Sequence, residues 1–385
     1  MKIIFYEMRK SWLKTITFIV LMILTALNFL RMNDLCRIEY PMTYGERGKW
    51  YYNLYGTVCG DLNEEKLESF RTQAKALENE VADMSYSTEY QPDKYYTGYV
   101  WGDYNLYNFD VGSEITYCIT YPKESSKILD NAAENFNFYR SVGNYYEAKR
   151  EFMVYNSYQG RNIPEYRATY WSKLFFNHEF SSLLCIVMLI FGGASSFSIE
   201  KESGMYQLIT AAGRKGKTTT SKIISSAVYC AFLSIWFTVF DLLFSNILLG
   251  VRGLDMPLYS APMFQQTPFT FSLLSGVLLW MGVRFLALFA VSLLILLISK
   301  ITPNTIIAMA VSFGASLLLI MLTSFTKSVW NPICALNPNV YISDFTVVNV
   351  FGEPVLLLFA ALVAITVECA ALIGSMFVCD RVKGV

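Results

Sequence analysis

The sequence predicts an α-helical polytopic membrane protein with six transmembrane helices and a mixed α/β extracytoplasmic domain between helices 1 and 2. Three observations carry that expectation. Of 385 residues, 54% are hydrophobic and 16% charged, whereas a soluble domain carries about 25% charged residues. The apolar residues gather in six runs, each near the roughly 20 residues that cross a bilayer. The charged residues lie almost entirely between those runs.

The spans are placed at 15–30, 179–199, 223–250, 271–299, 304–325 and 355–379. The first follows Lys2, Arg9, Lys10 and Lys14, as a secretory leader would, but Ala26-Leu27-Asn28 is a poor small-residue cleavage site, so it is read as a span. An even number of spans puts both termini on one side. Lys201, Arg214, Lys215, Lys217, Lys222, Lys300, Arg381 and Lys383 join the N-terminal basic residues on that face. Short loops on the other face offer Arg252 and Lys327. The positive-inside rule makes the basic face cytoplasmic.

Residues 31–178 then lie outside. Up to Asn177 they hold 16 basic and 21 acidic residues, a net charge of −5, and the segment is long enough to fold. Asp61-Leu62-Asn63-Glu64 reads as a capping box opening a helix with Leu62, Leu67, Phe70, Leu77 and Val81 at helical spacing. Ile115 to Tyr121, β-branched and aromatic and followed by Pro122, reads as a strand. A second helix is expected from Ser125 to Val142. Tyr95, Tyr96, Tyr99, Trp101, Tyr104 and Tyr107 suit ordinary packing and a lipid-interface belt, or a peptide or sugar site. Cys36, Cys59 and Cys118 permit one disulfide or none. Without a CxxC pair and with the single histidine, His178, at a span boundary, no metal site is expected.

The segment 200–222, between the second and third spans, is the most informative loop. Gly213-Arg214-Lys215-Gly216-Lys217-Thr218 looks like a phosphate-binding loop, but Ala211 stands where the first glycine is required, so no ATPase site is read in this chain. Glu200 and Glu202 suit the N-terminus of a short amphipathic helix, Gly213 its end, and Arg214 and Lys215 the dipole there. Met205, Tyr206, Leu208 and Ile209 give that helix an apolar patch fitted to a partner's groove or to the membrane surface.

The order acidic-x-Glu202-x-Gly204, a short apolar helix with Leu208, a Gly213-Arg214 break and Lys222 at the next span resembles the coupling segment of ABC-2 type transporter permeases. Residues 1–10, MKIIFYEMRK, resemble the elbow helix that precedes the first span in that family, and 1–14 are so assigned. The resemblance covers the elbow, the loop and the span count, but not the outer domain, which matches only the subset of permeases with a large insertion. Many members also have a proline near the end of the coupling helix, where this chain has Ala211-Ala212-Gly213. It implies docking of a separate ABC ATP-binding subunit, which would hold ATP and Mg, on Glu200, Glu202, Gly204, Met205, Tyr206, Leu208, Ile209 and Gly213. It also implies a second permease, identical or related, and the cell membrane of a bacterium. No cofactor is expected in this chain and no nucleic-acid partner, since the 31 basic and 31 acidic residues cancel. The alternative is a membrane sensor or immunity protein whose outer domain binds a peptide or antibiotic.

Asp241, Arg284 and Glu368 fall inside spans, where a lone charge is costly and finds a partner. Their depths differ by roughly 6 Å at 1.5 Å per residue, so the three are expected to form one network, as a cross-brace or as a cargo or proton path. Gly192, Gly193, Ala194, Ser195 and Ser196, and Ser312, Gly314 and Ser316, are small enough for close helix approach. Pro303, Pro332 and Pro338 mark turns, and 326–354 an outer loop with a re-entrant piece near Trp330 to Asn339.

Overall fold

The computed structural model describes residues 2–382 except 13, 40–44, 84–88, 168, 327 and 338. Met1, Lys327, Pro338 and Lys383, used above, lie outside the described residues. The chain runs α1 (Lys2–Ser11), α2 (Thr15–Glu39), α3 (Gly45–Val58), β1 (Gly60–Asp61), α4 (Glu64–Asp83), α5 (Val100–Asn105), α6 (Val111–Ser141), α7 (Tyr145–Tyr158), β2 (Glu165–Tyr166) and α8 (Tyr170–Asn177). It continues as α9 (Phe180–Gly193), α10 (Ser195–Glu202), α11 (Met205–Ala211), α12 (Lys215–Leu249), α13 (Leu273–Ile301), α14 (Thr305–Phe325), α15 (Asn339–Ile342), the hairpin β3 (Val347–Val350) and β4 (Glu353–Leu356), and α16 (Leu357–Val382).

Six helical segments are long and apolar enough to cross a membrane: Thr15–Ile38, Tyr170–Glu202, Lys215–Leu249, Leu273–Ile301, Thr305–Phe325 and Leu357–Arg381. This is the architecture of an α-helical polytopic membrane protein. α13 is its centre and packs against α9, α10, α12, α14 and α16. Its buried Trp280, Ala287, Leu288, Val291 and Leu296 fill the bundle axis. α14 is peripheral. Ile306, Met321 and Phe325 on it are 80%, 67% and 83% exposed, an apolar face suited to lipid rather than water.

Apart from turns and irregular stretches, the described residues of the insert between the first two spans form helices and one two-residue antiparallel pair, Gly60–Tyr166 and Asp61–Glu165. The strand expected at Ile115 to Tyr121 is corrected: these residues lie in the long helix α6. Val111, Ile115, Cys118, Tyr121 and Ser125 recur every three or four positions and form one buried stripe, so burial at helical period overrides β propensity. Pro122 sits inside the helix and does not end it. The helix expected from Ser125 is the second half of the same element. α4 begins at Glu64, two residues later than a cap at Asp61 would start it, because the Asn63 carboxamide accepts from the Lys66 amide and is the cap. α6 and α7 form an antiparallel hairpin, turned by Gly143 at φ 74° and capped by Asn144, which accepts from the Glu147 amide. All eight cysteines are free.

A buried carboxylate holds the insert together. Glu114 of α6 accepts from the hydroxyls of Tyr51 on α3 at 2.9 Å and Tyr166 on β2 at 2.6 Å. The insert also rests on the 250–272 loop joining α12 to α13. Arg161 donates to Tyr121 Oη at 2.9 Å and to the Thr267 carbonyl at 2.7 Å, and Tyr117 Oη donates to the Tyr259 carbonyl at 2.6 Å. Burial pushes the Glu114 carboxyl up to about 7, against the two tyrosine hydroxyls that pull it down.

The glycine pair of α9 makes room for an aromatic wedge. Trp12, which follows α1, is 2% exposed and stacks on Tyr229 of α12 with ring centroids 4.4 Å apart. A Cβ on Gly192 would fall 2.1 Å from the Trp12 ring, and one on Gly193 3.0 Å from Ile295 of α13. Gly314, by contrast, faces open space.

Two measurements test these anchors. Gly192→Val overpacks the Trp12 site and lowers unfolding stability by about 1–3 kcal/mol, while Gly374→Val on α16, which meets nothing within 4 Å, loses less than half of that. For Glu114 the folded state keeps its proton to about pH 7 while an ordinary glutamate releases it near 4.5. Unfolding then releases a proton between those values, so the Glu114 contribution falls as pH rises through that window, by at most about 3 kcal/mol. Glu114→Gln flattens that slope in pH-dependent unfolding.

Candidate functional site

Two buried ionic layers and one exposed helix carry the polar chemistry of the bundle. The deeper layer centres on Arg284 of α13, 0% exposed, and Asp241 of α12, 1% exposed. Nη1 and Nη2 of Arg284 each lie 3.2 Å from Asp241 Oδ2. Its remaining donors go to Thr238 Oγ1 at 3.2 Å, Ser181 Oγ at 2.5 Å and Ser182 Oγ at 3.2 Å, so all five N–H groups are used. Asp241 also accepts from Ser181 Oγ at 2.7 Å and from Asn28 Nδ2 of α2 at 2.7 Å. The other side of Asn28, Oδ1, meets His178 Nε2 at 2.6 Å. One carboxylate and one guanidinium, fully hydrogen-bonded, thereby tie α2, α9, α12 and α13.

Glu368 is the correction to the expected triad. The structure brings Asp241 and Arg284 together, but among the described contacts Glu368 reaches neither. Ala361, Ile365, Cys369 and Met376 form the buried stripe of α16, and Glu368 sits half-buried at its margin. His178, expected at a span boundary, is 3% exposed at the break between α8 and α9. Asn28, Ser181, Ser182 and Thr238 were not singled out in the sequence. Their signal was present as polar residues within otherwise apolar runs.

The second layer lies where α1, α10 and α12 converge. Lys222, two turns into α12 and 1% exposed, has Nζ 2.9 Å from Glu200 Oε1 and 3.2 Å from Glu7 Oε2. It also donates to the Ser196 carbonyl. Lys10 of α1 reaches Glu200 Oε1 at 2.6 Å. Two carboxylates and two ammonium groups make a neutral set, the condition for burying four charges. At the same level Lys300 of α13 pairs with Asp380 of α16 at 2.7 Å.

Below this layer the expected coupling helix takes a different form. Glu200 and Glu202 do not start it; they end α10, because Gly204 takes a left-handed φ of 72° and breaks the helix there. Glu200 is 2% exposed and bound inside, so it forms no surface. Glu202 instead meets the start of α14, the fifth span, accepting from the Thr305 amide at 2.7 Å and Thr305 Oγ1 at 2.9 Å. α11 then spans Met205–Ala211 with no buried residue, Leu208 being 70% and Met205 45% exposed. Tyr206 and Ile209 are half-buried, and Lys215 lies over the Tyr206 ring at 5.7 Å. Gly213, at φ 64°, closes the helix, and α12 begins at Lys215, well before Lys222.

Among the described residues no three of His, Cys, Asp and Glu converge as metal ligands would. In comparisons with known proteins, no family model, no curated protein and no solved structure matches the chain.

The deep layer makes a direct prediction. Arg284→Met leaves Asp241 charged and unpaired, and thermal or denaturant unfolding should show a loss of about 3–5 kcal/mol. The double variant Asp241→Leu with Arg284→Met removes both charges and should recover most of that loss.

Proposed function

We propose that the chain is the transmembrane permease subunit of an ABC-2 type ATP-binding cassette transporter, an exporter of a peptide, drug or lipid-like substrate driven by a separate ATPase subunit. One observation carries the reading: α11, a seven-residue helix between two membrane-crossing segments, holds Leu208 outward at 70% exposure while its neighbour Glu200 is clamped to α1 and α12. A short exposed apolar helix fits the groove of a protein partner. The clamp ties α10, the helix that α11 follows, to α1 and to the third span.

The surface offered to the ATPase is Gly204, Met205, Tyr206, Leu208, Ile209 and Gly213, with α1 beside it. ATP and Mg belong to the partner. The charge bias of the loops supports a cytoplasmic position for α11 and both termini in the cell membrane. A second permease, a copy or a relative, completes the transporter, and the apolar face of α14 offers it a surface.

The test is co-purification with an ATP-binding subunit and its hydrolysis rate. Leu208→Glu with Ile209→Glu should cut both by about tenfold, the loss of roughly 1.4 kcal/mol of docking energy, while leaving the permease folded. Unchanged ATPase coupling in that variant defeats the docking reading. Capture of a kinase instead of an ATPase would favour the sensor.

A further inference from the structure

A cavity of about 340 Å³ lies at the joint between α1 and α2, where Trp12, Lys14, Thr15, Thr17 and Phe18 meet Phe232 of α12. Its polar end is the start of α2. Lys14 stands at the cap position, its carbonyl accepting from the Phe18 amide at 3.1 Å, which leaves the amides of Thr15, Ile16 and Thr17 without an intrahelical acceptor. A lysine side chain has only donors and cannot cap them. The Lys14 ammonium and the Thr15 and Thr17 hydroxyls also have no partner among the described residues. The helix dipole adds partial positive charge at the same place.

Trp12 supplies a further donor. It is 2% exposed, yet its indole N–H has no acceptor among the described residues, whereas those of Trp171 and Trp236 donate to the Arg252 carbonyl and to Thr25 Oγ1. The ring edge that packs on α9 is Cε3–Cζ3, which a Cβ on Gly192 would meet at 2.1 and 2.2 Å. Nε1 is on the opposite edge of the indole and therefore faces away from α9, on the side of the cavity that Trp12 lines. Beyond these donors the lining is apolar: Phe18, Leu21 and Phe232, with Phe18 and Phe232 exposed on membrane-crossing helices. None of the described lining residues is acidic.

We propose that this cavity binds a phospholipid with an anionic headgroup. The phosphate is held by Lys14, the first-turn amides of α2 and the Trp12 N–H, and an acyl chain lies against Phe18, Leu21 and Phe232. A soluble anion would match the donors but leave the apolar wall uncovered; a neutral hydrocarbon would do the reverse. The first span starts at Thr15, so the donors sit at headgroup depth and the apolar wall at acyl depth. The bound phosphate caps α2 where the sequence provides no capping side chain, and it fixes the joint to α1, whose Glu7 and Lys10 belong to the ionic layer around Lys222 and Glu200.

The full-length protein in detergent, titrated with phosphatidylglycerol or phosphatidylcholine of the same chains and read by native mass spectrometry, tests the site. One phosphatidylglycerol should be retained about tenfold more tightly than phosphatidylcholine. Lys14→Gln should weaken it about fivefold, the worth of one basic residue at an anionic lipid surface, while Lys217→Gln, an exposed lysine of α12 outside the cavity, should leave it unchanged. Phe18→Ser should weaken both lipids. Lys14 and Phe18 are exposed, so neither variant disturbs the packed core. A photoactivatable acyl chain should label α2 and α12 around Phe18 and Phe232. Equal retention of the two lipids, equal losses in the two lysine variants, retention unchanged in Phe18→Ser, labelling elsewhere, or displacement of the lipid by inorganic phosphate overturns the proposal.

Discussion

A charge withdrawn from water must be neutralised where it stands, and that constraint organises the bundle. Apolar contact between helices distinguishes weakly among partners in a membrane, because lipid tails are as apolar as leucine. Polar pairs do distinguish. Arg284 finds its one carboxylate on α12 and its hydroxyls on α9 and α12, which fixes how those helices rotate about α13. The Glu7, Lys10, Glu200 and Lys222 set does the same for α1, α10 and α12. With both layers in place, α1, α2, α9, α10, α12 and α13 are held at rotations that pair the Arg284 and Lys222 charges.

The insert obeys the same rule outside the spans. Glu114 and Arg161 are buried, and each is surrounded by tyrosine hydroxyls or backbone carbonyls. The tyrosine-rich composition of this segment is thus put to two uses. Tyr51, Tyr121 and Tyr166 bring ring area to the core and a hydroxyl to a buried ionisable group, which phenylalanine would not.

What was legible in the sequence was what depends on one coordinate. Span existence depends on apolar length, and the six runs are six apolar helices. Depth along a helix brought Asp241, Arg284 and Glu368 to similar heights, but meeting also requires the right rotation, and only the first two have it. Gly213 marked the end of α11 because left-handed backbone demands glycine, but the start was misplaced: Gly204 is also left-handed and breaks the helix there, so the acidic residues before it belong to the preceding helix. At Ile115 to Tyr121 local propensity and helical period disagreed, and the period won because Tyr51, Phe70 and Tyr166 stand ready to cover that face. His178 gave no sequence signal beyond being the only one of its kind.

The two left-handed glycines around α11 have a mechanical consequence. On one side α10 is pinned: Lys201 reaches the carbonyls of Lys300 and Thr302 at 2.5 and 2.8 Å, and Glu202 holds the start of α14. On the other, α12 is pinned through Lys222. Between these anchors Gly204 and Gly213 concentrate the compliance, so α11 is a crank pin with a pivot at each end. A sideways load on it becomes a torque shared by the turn between α13 and α14 and by the base of α12.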